Sequence, residues 1–246
     1  MTIHVMNCFT CNARWPSKLK TGMVVALVET DQGLILIDTG PGSDDYLHPS
    51  NILKIFHAMF SLRFDLQETA IDQVQKLGYK PEDVRHIVLT HMHFDHCGGL
   101  PDFPRAKVHV HQREYDAFTG QKHRWTDMAY DQRHISQVNN WDFYNQGCER
   151  WYEFDAIRLP FDPEMWLIPL HGHSLGHCGV AVKTGDGWFF NAADAGAIYN
   201  DTTPAWLIRL VLGPHDARLR RFMRGHPEVK ICNSHMMPEW FREKTV

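Results

Sequence analysis

An α/β fold built from two similar halves is predicted by three features of the chain. Gly33-Leu34-Ile35-Leu36-Ile37-Asp38-Thr39-Gly40 and Gly187-Trp188-Phe189-Phe190-Asn191-Ala192-Ala193-Asp194-Ala195-Gly196 both run turn, apolar strand, Asp, small residue, Gly. Each follows another apolar run, Met23 to Val28 and Gly179 to Val182, across the connectors Asp31-Gln32-Gly33 and Gly185-Asp186-Gly187. Each half therefore reads as a β-hairpin ending in an Asp at one edge of a sheet. The third feature is the apolar run His86-Ile87-Val88-Leu89-Thr90, short enough for a buried strand and followed at once by a polar, His-rich turn. With 246 residues, 43% of them hydrophobic, the chain can bury a sizeable core, and one domain over residues 1–246 is expected.

In chain order, a strand is expected near Ile3 to Met6, then the first hairpin, a helix from Gln67 to Leu77 and the strand entering the His-rich turn. Lys107-Val108-His109-Val110-His111 alternates as a strand, Arg113 to Phe118 starts a helix, and Pro214 to Arg224 suits a late one. Two aromatic-rich stretches, about 46–64 and 123–161, have a less regular pattern. The second is expected as a lid-like insertion, with Trp125, Tyr130, Trp141, Phe143, Tyr144, Trp151, Tyr152 and Phe154, and Trp166 nearby. Its rings suit the wall of a pocket for a partly apolar substrate, and equally a satellite core or the interface of a homodimer.

The formal net charge of −4 leaves no footprint for nucleic acid, and the one basic run, Arg218 to Arg224, reads as the polar face of a helix. Met1-Thr2-Ile3-His4-Val5-Met6 lacks the basic start and long apolar stretch of a secretion signal, and no apolar run reaches membrane-spanning length. A cytoplasmic location, with no membrane partner, is the expectation. The six cysteines are scattered, so reduced thiols are expected, and Cys8-Phe9-Thr10-Cys11 has no second pair with which to build a zinc ribbon.

His91-Met92-His93-Phe94-Asp95-His96 packs three imidazoles and a carboxylate into six residues after a strand. His91 and His93 leave the strand end on one side, with Asp95 and His96 on the following turn, so the four side chains can surround two adjacent cations. Imidazole nitrogen and carboxylate oxygen suit zinc and other borderline divalent metals. One histidine would be read as a surface or satisfied core residue; four potential ligands in six residues, followed by Cys97-Gly98-Gly99 for a tight turn, point to a metal centre.

The segment resembles the His-x-His-x-Asp-His signature of the metallo-β-lactamase-fold hydrolase superfamily. The resemblance implies a four-layer αββα sandwich with metals at the shared strand ends. It extends to His173, in a loop reading Gly172-His173-Ser174-Leu175-Gly176-His177, to Asp194 as a carboxylate shared by two metals, and to His235 after the run Val229-Lys230-Ile231-Cys232. Carried over, His91, His93 and His173 would hold one metal, and Asp95, His96 and His235 the other, with Asp194 between them. His177 and Asp38 would support ligands without binding metal, and His111 and His171 read as hydrogen-bonding or surface histidines. Two divalent ions are implied, zinc first, with iron or manganese as alternatives, and a bridging hydroxide as nucleophile.

Subfamily differences narrow the implied substrate. Asp194 stands where some di-zinc lactamases carry Cys, eleven residues follow His235 where glutathione thioesterases carry a helical domain, and no basic insertion marks the nuclease branch. Compact N-acylhomoserine-lactone hydrolases share the length and the ligand set, so a zinc-dependent lactonase or esterase acting on a small, partly apolar molecule is expected. Those enzymes place a substrate-contacting Tyr three residues after the shared Asp. Here that position is Ala197, and Tyr199 is the candidate for the task, with Asp95 and Asp194 expected to relay protons. Thioester or phosphodiester hydrolysis, and iron-dependent redox chemistry on the same fold, stay open as alternatives.

Overall fold

The structure is a computed structural model that describes residues 1–12, 20–121, 124–145, 149–198 and 203–235. Strands β1 (Ile3–Asn12), β2 (Lys20–Thr30) and β3 (Gly33–Ile37) run as an antiparallel meander. Helices α1 (Ser43–Leu47) and α2 (Asn51–Phe60), the short strand β4 (Leu62–Arg63) and helix α3 (Ala70–Lys76) lead to β5 (Val84–Val88). The one-turn helix α4 (Phe94–Cys97), β6 (Lys107–His111), α5 (Gln112–Thr119) and β7 (Trp141–Tyr144) finish the first half. The second half holds β8 (Glu149–Trp151), β9 (Phe154–Arg158), β10 (Met165–Pro169), β11 (Cys178–Thr184), β12 (Gly187–Asn191), α6 (Ala205–Leu212), α7 (Asp216–Gly225) and β13 (Val229–Cys232). Among the described residues the strands form a seven-stranded sheet, order β4-β1-β2-β3-β5-β6-β7, and a six-stranded sheet, order β13-β12-β11-β10-β9-β8.

Alternation explains why the sheets stack. Val24, Ala26 and Val28 of β2 join Ile35, Ile37 and Val88 in a core shared with Leu167, Val180, Val182 and Phe189 of the second sheet. Their neighbours Met23, Val25 and Leu27 face the other way, onto Val74 of α3 and Phe118 of α5. On the far side, Trp166, Ala181 and Phe190 pack on Leu219 and Phe222 of α7. A sheet apolar on both faces must be covered on both, so three cores separate four layers, helix, sheet, sheet and helix. This is the expected αββα sandwich.

Both expected hairpins form, but the sequence echo between them is out of register in space. The N–H of Asp38 donates to the Val88 carbonyl at 3.0 Å, continuing the parallel β3–β5 ladder one residue beyond the strand. The matching position in the second half is Ala192, whose N–H donates to the Cys232 carbonyl at 2.8 Å beyond the parallel β12–β13 ladder. One more residue, Ala193 at φ 47°, carries the chain outward before Asp194.

Some expected boundaries shift. The first strand runs on to Asn12, and the helix expected from Gln67 to Leu77 is divided at Thr69, whose hydroxyl accepts from Asp72 N–H and caps α3. The stretch 46–64 contains α2, whose exposed Ile55 and Met59 blur its amphipathic pattern. Within 123–161, Trp141–Tyr144 forms the sheet-edge strand β7, and Trp151 and Phe154 sit in the core below α7, with the Trp151 and Phe222 rings 5.3 Å apart. Trp125 is exposed. Cys8 and Cys11 are buried; the Cys8 sulfur accepts from Gln73 and the Cys11 thiol donates to the Phe60 carbonyl. Burial pushes the Cys8 thiol well above its ordinary pKa, so that sulfur is not placed for easy ionisation. Among the described residues no helix is long and apolar enough to cross a membrane.

Candidate metal centre

The two sheets are stitched together where their loops meet. Cys178 N–H donates to the Thr90 carbonyl at 2.9 Å, and Val24 N–H donates to the Ser234 carbonyl at 2.8 Å. These bonds bring four loops to one edge: the turn after β5, the β10–β11 connection, the residues beyond β12 and those beyond β13. His91, His93, Asp95 and His96 come from the first, His173 from the second, Asp194 from the third and His235 from the fourth. All seven residues converge. Donor atoms of His91, His93 and His173 lie within 4.8 Å of one another, as do those of His91, His96 and Asp194, and those of Asp95, His96 and His235.

Hydrogen bonds on the outer side of each ring decide which nitrogen faces inward. His173 Nδ1 lies 2.8 Å from the Val211 carbonyl and His235 Nδ1 2.9 Å from the Gly22 carbonyl; a carbonyl only accepts, so both Nδ1 atoms carry the proton. His96 Nδ1 is likewise 3.0 Å from Asp38 Oδ2. Thr90 donates its hydroxyl proton to Asp38 Oδ2 at 2.8 Å, leaving its oxygen to accept from His91 Nδ1 at 3.1 Å. With Nδ1 so engaged, Nε2 is the atom that each of these four rings turns inward, and it presents a lone pair once the ring is neutral.

Those lone pairs face one another and two carboxylates. His91 Nε2 is 3.2 Å from His93 Nδ1, which is 3.0 Å from His173 Nε2. Asp194 Oδ2 lies 3.3 Å from His173 Nε2, 3.2 Å from His235 Nε2 and 3.7 Å from His96 Nε2. Asp95 Oδ2 is 3.4 Å from His235 Nε2. The other inward atoms, His96 Nε2 and Asp194 Oδ1, are buried with no hydrogen-bond partner. So many ligand atoms at such separations call for positive charge among them, from shared protons or from a cation, and nitrogen and oxygen donors in this number fit divalent zinc-like ions.

Acid–base behaviour carries the same message. Burial lowers the pKa of His91 and His93, helped by the neighbouring imidazoles, which keeps both rings neutral. For His96, burial opposes the charged form but is outweighed by Asp38, Asp194 and Asp95, and the pKa rises. Burial also opposes charge on His235, yet Asp194 and Asp95 lift its pKa to about 9. Asp194 is pulled well below the usual carboxylate range, because His235 and His96 more than offset its burial. A field that favours positive charge at these points favours a metal cation there too.

His177 supports the site from behind. Its Nδ1 donates to the Leu170 carbonyl at 3.1 Å, and its Nε2 accepts from the backbone N–H of Asp194 at 3.0 Å, so it holds the loop and keeps no atom for a metal. His171 bonds the His177 carbonyl at 3.1 Å, and His111 accepts from Arg113 N–H at 3.2 Å. Asp38 has no exposed surface and accepts from Thr90 N–H, the Thr90 hydroxyl and His96. Tyr199 lies outside the described residues. Ala197, two residues earlier, is buried, with its N–H donating to Asp216 Oδ1 at 2.8 Å. Sequence reading missed Thr90 and the carbonyls of Val211, Leu170 and Gly22. Thr90 adjoins the motif and was within reach; a carbonyl leaves no mark in the sequence.

Comparison with known proteins supports the fold. A family model for the metallo-beta-lactamase superfamily matches residues 23–217. A probable metallo-hydrolase of Mycobacterium tuberculosis is 37% identical over 196 residues, which are 78% of this chain and 62% of that protein. An N-acyl homoserine lactonase of Bacillus cereus is 32% identical over 161 residues, 64% of this chain and 57% of the relative. The chain thus spans about three fifths of the length of these curated relatives, at 62% and 57%. A solved N-acyl homoserine lactone hydrolase, with N-hexanoyl-L-homoserine at its catalytic metal centre, superposes with a TM-score of 0.69 at 19% identity, covering 99% of this chain and 95% of that one. At that identity the likeness speaks for the fold.

Proposed function

Because the chain belongs to the metallo-beta-lactamase superfamily, we propose that it is a dinuclear metal-dependent hydrolase, with zinc as the metal, that cleaves a lactone or ester bond of a small, partly apolar molecule in the cytoplasm. One observation carries the reading: seven inward-facing ligand residues form two groups, and Asp194 Oδ2 lies within 3.7 Å of a histidine from each. His91, His93 and His173 would hold one ion, Asp95, His96 and His235 the other, with Asp194 shared.

When bound, two divalent ions supply Lewis acidity and lower the pKa of water toward about 7. The protein's residues do the rest. Val211, Gly22, Asp38 and Thr90 fix the ring tautomers, so no reorganisation is needed when charge develops at the centre. Asp194 is nearly buried and held through its backbone, which suits a fixed ligand. Asp95 has 15% of its side chain exposed, so it can take a proton and pass it toward a leaving group at the opening.

Apolar surface flanks the His173 side. Trp206 and Leu210 of α6 are exposed, and the same helix offers the Val211 carbonyl that holds His173. Leu175 is exposed in the His173 loop, and Trp125 beside Arg124, whose guanidinium donates to the Gly172 carbonyl. Such a rim suits an acyl chain, and the lactonase names of the relatives point the same way. The test is hydrolysis of acyl lactones, aryl esters, thioesters and phosphodiesters by metal-replete protein. Lactone or ester turnover that improves with acyl length is expected; turnover of phosphodiesters alone would move the enzyme to another class.

A further inference from the structure

The side chain of Glu114 has no exposed surface and lies outside the ligand set, yet it joins two of the four loops that build the site. Its Oε1 accepts from the N–H of Met92, between His91 and His93, at 3.0 Å, and from the Tyr130 hydroxyl at 3.0 Å. Its Oε2 accepts from the Ser174 hydroxyl at 2.6 Å and from Gly176 N–H at 2.8 Å, on the loop that carries His173. Among the described residues no Lys, Arg or His pairs with it. Four neutral donors and the first turn of α5 instead provide a polar setting for the buried carboxyl group.

We infer that Glu114 is the positioning residue for the three-histidine group: it clamps the His91–His93 segment to the His173 loop and so sets the spacing of His91, His93 and His173. This rests on the proposed metal-dependent reading. The loops have little slack, because a side chain at Gly176 would run into the backbone nitrogen of Glu114. Tyr130 extends the clamp, its ring lying 5.1 Å from that of His93 while its hydroxyl binds Glu114. The second group, Asp95, His96 and His235, takes no hydrogen bond from Glu114; Asp38 and the Gly22 carbonyl hold it. Glu114 therefore acts on one of the two sites selectively.

Substitution by Gln exposes the requirement. Each carboxyl oxygen accepts one backbone N–H, a donor that cannot turn around, so either orientation of a Gln amide sets its NH2 against a backbone donor. Metal-stripped wild type and Glu114→Gln would be titrated with cobalt(II) and with zinc, with stoichiometry, affinity and the cobalt absorption spectrum as readouts. Wild type is expected to take two equivalents, and the variant to bind one of them about 10- to 100-fold more weakly with an altered cobalt spectrum, the other being unchanged. Should Glu114→Gln fail to fold, Ser174→Ala and Tyr130→Phe each remove one donor, and the same equivalent should weaken severalfold. Two wild-type affinities and an unchanged spectrum in the folded variants would reduce Glu114 to a structural tie and overturn the inference. Wild type that takes no metal would overturn the functional reading instead, and the inference with it.

Discussion

Asp38 and Asp194 end two hairpins of similar sequence and do opposite work. Asp38 stands directly after its strand, is fully buried, and receives Thr90 N–H, the Thr90 hydroxyl and His96 Nδ1. Asp194 stands two residues further out, meets three imidazoles, and keeps one oxygen without a partner. A two-residue difference in how far the chain runs past its last ladder hydrogen bond separates a brace from the proposed ligand. The lesson is that a satisfied carboxylate serves the fold, while one whose lone pairs are left over is the candidate for a cation.

The comparison predicts different failures. Replacing Asp194 by Asn should have the largest effect on turnover, a loss exceeding about 100-fold, because a direct ligand is expected to matter more than the outer partners behind it. The unfolding midpoint of the metal-free protein should fall only through the lost attraction between Asp194 and the His235 and His96 rings, and added metal should raise it far less than it raises wild type. Asp38→Ala should instead cost roughly 3 kcal/mol of stability with or without metal, by leaving the Thr90 donors and His96 unpaired in the interior. Metal affinity should fall with it by about 10- to 100-fold as His91 and His96 loosen. Denaturant melts of both variants, stripped and loaded, separate the two patterns; identical profiles would dissolve the distinction.

A smaller effect is expected away from both carboxylates, at His109 on β6. Burial, with His86 beside it, lowers the His109 pKa to about 4, while its ring nitrogens bond His86 and Tyr144. The unfolded chain protonates this ring near its ordinary value of about 6.5 and the folded protein resists until about 4. The unfolded state thus binds more protons in that window, and stability falls as pH drops from 6.5 to 4 and levels off below. The loss attributable to His109 is at most about 3 kcal/mol. In His109→Gln the stability curve between those pH values should be flatter, with metal stoichiometry unchanged; an equally steep curve would assign the dependence to other groups.

The sequence made the two-hairpin frame readable because continuous apolar runs in β2, β3, β11 and β12 record burial on both faces of a sheet. It was less readable where tertiary contact overrides pattern: α2 exposes Ile55 and Met59, and Thr69 ends one turn and caps the next helix. Four potential ligands crowded into His91 to His96 announced chemistry unaided, whereas Asp194 and His235 came only through a resemblance, each being a lone residue after a strand. The supports were nearly invisible. Carbonyls of Gly22, Leu170 and Val211 have no sequence mark, and Glu114, in the third position of a helix, reads as an ordinary capping residue.

The measurement that tests the account most directly is the metal content of chelator-free protein by elemental analysis, for wild type beside Asp194→Asn. About two divalent ions per chain in wild type and a deficit of at least one in the variant are predicted, since Asp194 is the carboxylate both groups share. A single ion in wild type, or two in both proteins, would contradict a dinuclear centre built around Asp194.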